Sequence, residues 1–468
     1  MTFYDTFNKT LLMPLYFRMT SNIALQRLSQ LEKTQYLAPS ILEDLQFESL
    51  RRLLVHCYLQ VPFYRRRFDE AGFDPLRFSD PADVKRIPYL TKSDLQRQAA
   101  DLVARNYRRS DLVPDASGGS TGKPTNFYKD RLRNQLRSAD KMRHDRWCGW
   151  HEGEKYVTLW GAQREFDPKI PLTTRLVERY LYRAYGFNAF DVTPEKVLDY
   201  LVQLKKIRPS MIVAYANVAH LFARIIDQKR VDLSGLGLKG VISSAETLTP
   251  EKRADIEAAF HTKVLNRYGS REVGVVASEC LAQEGLHVNA ENVLVEIQQG
   301  GKDTAPGETG EIIVTDLWNY GMPFIRYQMG DVGVKSDRTC SCGRGLPLLQ
   351  QVTGRVSDFI VDSRGGLVHG EYFTHLFYGL SGVEQFQLVQ EDRTRILLNV
   401  RPGEGFQRIL LDPVIAKIRT CLGQEVEVEV RLVDGSLVEA SGKYRFTISR
   451  ISGDRFAGLE RAADRDQP

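Results

Sequence analysis

The chain has 468 residues, 42% of them hydrophobic and 26% charged, with a formal net charge of +5. That length exceeds one typical core and calls for two or three folded units, and the composition is that of a globular protein needing no covalent staples. The small charge, spread along the chain, gives no footing for nucleic acid; no apolar run reaches the ~18 residues of a membrane span, and the six cysteines lack the spacing of a disulfide framework.

The opening stretch (MTFYDTFNKTLLMPLYFRMT) carries a short apolar patch. An early Asp5, an internal Pro14 and the lack of a small-residue cleavage site argue against a secretory signal. An amphipathic surface or membrane contact there is the weaker alternative, membrane association not being expected, and the chain reads as cytoplasmic. Helical periodicity (Leu42, Leu45, Phe47, Leu50, Leu53, Leu54, Tyr58) covers 41–68 and breaks at Val61-Pro62. Next comes the most informative segment, Ser117 to Pro124 (SGGSTGKP). Its glycines let backbone N–H groups approach an anion, its hydroxyls add donors and its lysine adds charge. It is not a Walker loop, which would need glycine at 117 and a hydroxyl residue at 124.

Further along, a helix is predicted over 195–207, a strand over Met211–Ala214, a helix over 217–228, a strand over 238–243, a helix over 249–260 and a strand over Lys263–Asn266. This alternation with short links is the pattern of a largely parallel sheet covered by helices. The segment 293–315 reads instead as a β-hairpin. A boundary is expected at Gly354-Arg355, before a fresh strand at Phe359–Val361, and the stretch after Gly453 is polar and charged.

Four segments join the glycine-rich loop in a fixed order: NRYGSRE (266–272), IRYQMGD (325–331), GRVSD (354–358) and SGKYR (441–445). Together they resemble the signature of the adenylate-forming enzymes, nearest to the phenylacetate–CoA ligase-like branch with its capsular-polysaccharide relatives. Residues 53–68, 87–94 and 310–331 agree with that branch, and the resemblance runs from about residue 50 to about 450. It implies an α/β fold: a large N-terminal domain (1–354) of mixed sheets with covering helices, and a small, mobile α+β C-terminal domain (355–468). The implied activity joins a small carboxylic acid to a thiol, CoA by default, through an acyl-adenylate made from ATP. A carrier protein, or an amine or hydroxyl in polysaccharide decoration, is the alternative acceptor, and a nucleotide binder without turnover is the contrasting reading. A homodimer is left open.

Bringing a carboxylate to the α-phosphate sets anion against anion, so the site must neutralise charge and align the reactants. The resemblance places Ser117, Gly118, Gly119, Ser120, Thr121, Gly122 and Lys123 around the ATP phosphates and Glu272 on Mg2+. It sets Tyr268 and Gly269 against adenine, with Ser244, Ala245 and Glu246 on the other side. Asp331 falls on the ribose, Arg355 beside the nucleotide, and Lys443 between carboxylate and α-phosphate. Arg271 stands where the family has threonine, its charge suiting the α-phosphate, and Ser357 departs from the usual Asp or Lys at the hinge. Trp160, Tyr215 and Ala245 are acyl-pocket candidates by location, and Arg164 is a candidate for a second anionic group.

Cys340 and Cys342 share a tight turn ending in Gly343, and Cys280 lies seven positions before His287. Three thiolates and one imidazole suffice for a closed tetrahedral zinc site, and similar sets occur in members of the branch. Otherwise these are free cysteines in a reducing compartment and a satisfied histidine. Cys57, Cys148 and Cys421 read as core.

Overall fold

The computed structural model describes residues 3–117, 125–160, 171–189, 194–355, 359–363, 367–377, 380, 382–435, 437 and 445–451. The chain divides into two compact units. The first comprises residues 1–297, 305–329 and 333–352; the second comprises 298–304, 330–332 and 353–468.

In the first unit the predicted helix over 41–68 is two helices, Pro39–Gln60 and Pro62–Glu70, parted at extended Val61. The fixed φ of Pro62 starts the second helix while its ring ends the first. Strands β1 (Leu112–Ser117) and β2 (Thr125–Asp130) form an antiparallel hairpin whose last pair is Ser117 with Thr125. The glycine-rich stretch follows β1 and precedes β2, and residues 118–124 themselves lie outside the described residues.

Strands β3 (Tyr156–Trp160), β4 (Ala184–Asn188), β5 (Met211–Tyr215), β6 (Gly240–Ser244) and β7 (Val264–Ser270) run parallel in the order β4-β3-β5-β6-β7. Their crossover helices, Pro194–Ile207, Ala216–Gln228 and Pro250–Phe260, fall where periodicity puts them. The last is started by Thr249, whose side chain accepts from the Lys252 N–H, and stopped by left-handed His261. Alternate strand residues face opposite layers. Ile212, Ala214, Val241 and Val264 pack under the crossover helices, while Met211, Val213, Ile242 and Leu265 pack with Trp147, Cys148 and Trp150.

After β7 the sheet turns antiparallel through β8 (Gly274–Glu279) and β9 (Leu286–Val288). Then come β10 (Val293–Gln299), the short β11 (Lys302–Asp303) hairpinned onto it, β12 (Thr309–Asp316), β13 (Tyr327–Ser336) and β14 (Leu348–Arg355). The order continues β10-β12-β13-β14-β9-β8-β7, so the parallel strands are only part of a mixed sheet.

One further helix of the first unit is unusual in composition. Arg131–Arg146, capped by Asp130, buries Arg133, Asp140 and Arg143. Arg133 Nε reaches Asp316 at 2.7 Å and its Nη1 reaches Asp140 at 3.2 Å, while Arg143 meets Glu291 at 2.7 Å. Buried charges persist only when paired in this way.

In the second unit, β15 (Phe359–Val361) pairs with β16 (Leu367–His369), and β17 (Val383–Gln390), β18 (Arg395–Pro402), β19 (Glu427–Leu432) and β20 (Thr447–Ser449) form a sheet in the order β19-β18-β17-β20. Its core joins Leu388, Ile396 and Leu398 to Phe373 and to Val414 and Ile418 of the helix Asp412–Leu422. No helix among the described residues is long and apolar enough to cross a membrane.

Candidate active site

The parallel strands all end on one edge, and in open α/β sheets ligands bind outside the carboxyl ends of such strands. Register brings Trp160, Asn188, Tyr215, Ser244 and Arg267 to that edge: Trp160 pairs with Asn188, Tyr215 with Ser244, and Ser244 with Arg267. Trp160 and Tyr215 stack with ring centroids 4.2 Å apart. Half-buried Ser244 donates its hydroxyl to the Arg267 carbonyl at 3.1 Å. Ala245 follows in the left-handed region at φ 68°, a conformation that costs a non-glycine residue free energy and concentrates at functional loops. Glu246 accepts the Asn217 N–H at 2.8 Å at the start of the helix Ala216–Gln228, so this carboxylate also anchors the loop.

One strand over, β7 and β8 form a hairpin with a bulge between Tyr268 and Gly269. A side chain at Gly269 would begin 2.3 Å from the Gly274 carbonyl oxygen, so only glycine lets the strands close. Tyr268 is half-buried against the core and lies 3.6 Å from Met329 sulfur through its hydroxyl. Glu272, in the turn, is only 8% exposed.

The turn is held from below by two arginines of the helix Arg131–Arg146. Arg137 donates to the carbonyls of Ser270, Arg271 and Glu272 at 3.4, 2.7 and 3.4 Å. Arg133 donates to the Val273 carbonyl at 2.7 Å. Burial, with Arg133 nearby, lowers the Arg137 guanidinium to about 10. Exposed Arg271 points its charge at Asp115 of β1, 3.8 Å away, and Lys129 of β2 reaches the same carboxylate at 2.7 Å. Burial raises the Asp115 carboxyl, but Lys129 outweighs it and the pKa falls below the ordinary value. Burial and Arg137 meanwhile depress the Lys129 ammonium. The base of the glycine-rich hairpin is thus tied to the turn carrying Glu272. Sequence reading missed Arg137, Asp115 and Lys129. Arg137 sits in a run (RSADKMRHDR) that looks like a solvated face, and carbonyl partners more than a hundred residues away leave no local signal.

Asp331 is half-buried in β13 after Gly330, whose φ is +74°, and belongs to the second unit. Arg355 ends β14. The side chains of Ser117 and Arg355, and all of Gly118 to Lys123, Arg164, Ser357 and Lys443, lie outside the described residues.

The cysteine–histidine set does converge. Donor atoms of Cys280, His287, Cys340 and Cys342 all lie within 4.8 Å of one another. The Cys280 and Cys340 sulfurs are 3.7 Å apart, and Cys342 Sγ is 3.3 Å from His287 Nε2. Cys280 follows β8, and His287 sits in β9 opposite Leu348 of β14. The turn bearing Cys340 and Cys342 is closed by Gly343 at φ +78° and clamped by Glu284, which accepts from the Ser341 N–H and hydroxyl at 2.7 and 2.8 Å. Burial, then Arg344, pushes His287 down to about 4, leaving a neutral ring with a lone pair to offer. Three sulfurs and one imidazole at this separation, with no carboxylate among them, suit a closed zinc site. Of the other cysteines, Cys57 and Cys148 are buried, and Cys421 packs half-buried in the second core.

Residues 360–450 match the CapK C-terminal domain family. The phenylacetate–coenzyme A ligase of Thermus thermophilus is 28% identical over 327 residues, covering 68% of this chain and 72% of that protein. Protein CapK of Staphylococcus aureus is 25% identical over 377 residues, covering 79% and 81%. The chain is thus similar in sequence to phenylacetate–CoA ligases and to CapK. The likeness in fold extends almost end to end. A 2-hydroxyisobutyryl-CoA ligase, crystallised in the postadenylation state with R3-HIB-AMP, superposes with a TM-score of 0.69 at 21% identity, covering 92% of this chain and 94% of that one.

Proposed function

We propose that the protein is an AMP-forming acid–CoA ligase. A carboxylate attacks the α-phosphate of ATP to give an acyl-adenylate and pyrophosphate, and the thiol of CoA then takes the acyl group and releases AMP. The observation that carries this reading is the turn Tyr268–Glu272, set beside the carboxyl ends of the parallel strands and tied through Arg271 and Asp115 to the base of the glycine-rich hairpin. That juxtaposition sets a carboxylate able to hold Mg2+ near the two strands that lead into and out of a segment whose composition suits phosphates. Arg271 faces the same space and supplies positive charge where negative charge accumulates. Ser117 to Lys123 hold the β- and γ-phosphates, and Tyr268, Gly269, Ser244, Ala245 and Glu246 border the adenine. Asp331 receives the ribose, and Arg355 and Lys443 come from the small domain, 355–468. The stacked Trp160 and Tyr215 offer an aromatic wall to the acyl group.

Zinc held by Cys280, His287, Cys340 and Cys342 is structural in this reading, since four protein ligands leave no open position for water. Such thiolates, together with ATP and CoA as substrates, support a cytoplasmic location. Carboxylate-dependent exchange of pyrophosphate into ATP, run over aryl, aliphatic and sugar acids, tests the first half-reaction; no exchange with any acid leaves a nucleotide binder. Offering the productive acid with CoA, a carrier protein or a sugar amine then identifies the acceptor. The CapK-type match over 360–450 makes the last two worth including.

A further inference from the structure

Two helices of the first unit hold large apolar side chains out to solvent. The first runs through Phe3–Phe7, Asn8–Leu12 and Met13–Met19, its middle stretch wound as π-helix. Phe3, Phe7, Leu11, Leu15 and Met19 recur every four residues and are 87%, 37%, 52%, 51% and 76% exposed. In a plain α-helix a four-residue step drifts about 40° around the axis. The wider π-turn takes back part of that drift and holds the stripe to one side. The second helix, Leu172–Leu176 continuing into π-wound Val177–Tyr182, repeats the device with Leu172, Leu176 and Tyr180, which are 70%, 46% and 61% exposed. None of its residues is buried. A helix this short is marginal in water without a covered face.

The opposite side of the first helix is fixed. Asp5 is buried against Arg183, Met13 and Phe17 enter the core, and Asn8 Nδ2 donates to the Tyr180 and Leu181 carbonyls at 3.2 and 2.8 Å. The Tyr4 hydroxyl donates to the Tyr180 carbonyl at 3.0 Å. The helices therefore lie together, and the stripe of the first cannot turn inward. The two features that interrupt the apolar patch in the sequence do not interrupt the stripe: Asp5 points inward, and Pro14 falls where the π-wound turn gives way to Met13–Met19.

We propose that these helices form a docking face for an anionic lipid bilayer. Charge selects that occupant. The charged residues of the two helices that are not buried are Lys9, Arg18, Arg175 and Arg179 against a lone carboxylate, Glu178. A second copy across a two-fold axis would set this basic surface against itself. Anionic headgroups complement it, while phenylalanine, leucine and tyrosine side chains enter the acyl boundary. The helices are too short to span, so they lie in the interfacial plane.

Cosedimentation of the full chain with phosphatidylglycerol–phosphatidylcholine vesicles tests the proposal without reference to ligase activity. The protein should pellet with the mixed vesicles and not with phosphatidylcholine alone, and added salt should weaken the effect. Leu11→Glu/Leu15→Glu should abolish it. Arg18→Glu/Arg175→Glu, two changes at exposed positions, should weaken partition about tenfold or more. A wild-type chain that stays in the supernatant with both vesicle types overturns the proposal. So does partition unchanged by both double variants, or a dimer in sedimentation velocity that Leu11→Glu dissociates while vesicle partition is unaltered.

Discussion

Arg137 grips three successive carbonyls of the turn that carries Glu272. In the proposed reaction it is a positioning residue, acting on Mg-ATP through Glu272. Replacing it with methionine removes charge-assisted hydrogen bonds worth roughly 1.5–3 kcal/mol. We expect KM for Mg-ATP to rise about tenfold or more, KM for the acid to stay within about twofold, and Arg137→Lys to recover part of the loss. Equal rises in both KM values would mark a merely structural role. Asp331 gives a second test at this scale, because an enzyme whose carboxylate receives both ribose hydroxyls should lose its preference for ATP over 2′-deoxy-ATP once that carboxylate is gone. Asp331→Ala should weaken ATP by a similar amount and shrink discrimination against 2′-deoxy-ATP; unchanged discrimination would remove Asp331 from the ribose. These two residues differ in legibility. Asp331 sits in a motif readable along the chain, whereas Arg137 is visible only through partners that folding brings to it.

Among the elements, the crossover helices and parallel strands were legible because each meets a local condition: apolar periodicity, a capping Thr249, a proline at the first turn. The antiparallel continuation through β8, β9 and β14 was not, since pairing of β9 with a strand some sixty residues later depends on neighbours and not on pattern. The cysteine–histidine cluster lies at that junction. It links the end of β8 and the strand β9 to the turn before β14, where a metal ion would cross-link segments held otherwise by a short ladder. We expect about one zinc per chain by elemental analysis. Cys340→Ser or Cys342→Ser should lower metal content and Tm together, the latter by about 5 °C or more, with catalysis lost only as far as stability is. Metal-free protein with an unaltered melting curve in these variants would leave the cluster without a structural task.

For the whole molecule, the chain divides into two compact units, and the proposed reaction has two steps, the first of which is expected to need Lys443. Lys443→Ala should abolish carboxylate-dependent pyrophosphate exchange, reducing it by about a thousandfold, while ATP binding and the conversion of preformed acyl-adenylate and CoA to thioester persist. Near-normal exchange in this variant would take Lys443 out of the mechanism. The sequence by itself determined what depends on residue type and short spacing. That includes the glycine-rich loop, the order of the motifs, the alternation of strand and helix around the parallel edge, and the four candidate metal ligands in two nearby pairs. Tertiary structure alone decided what depends on convergence. It buried the charges of the helix Arg131–Arg146 in matched pairs and set Arg271 against Asp115. It also turned Asp5 inward, so that a broken apolar patch in the sequence became a continuous stripe on the surface. The physical reason is the same in each case: a charge or an apolar side chain takes its meaning from what desolvates or faces it, and those neighbours are fixed only when the chain is folded.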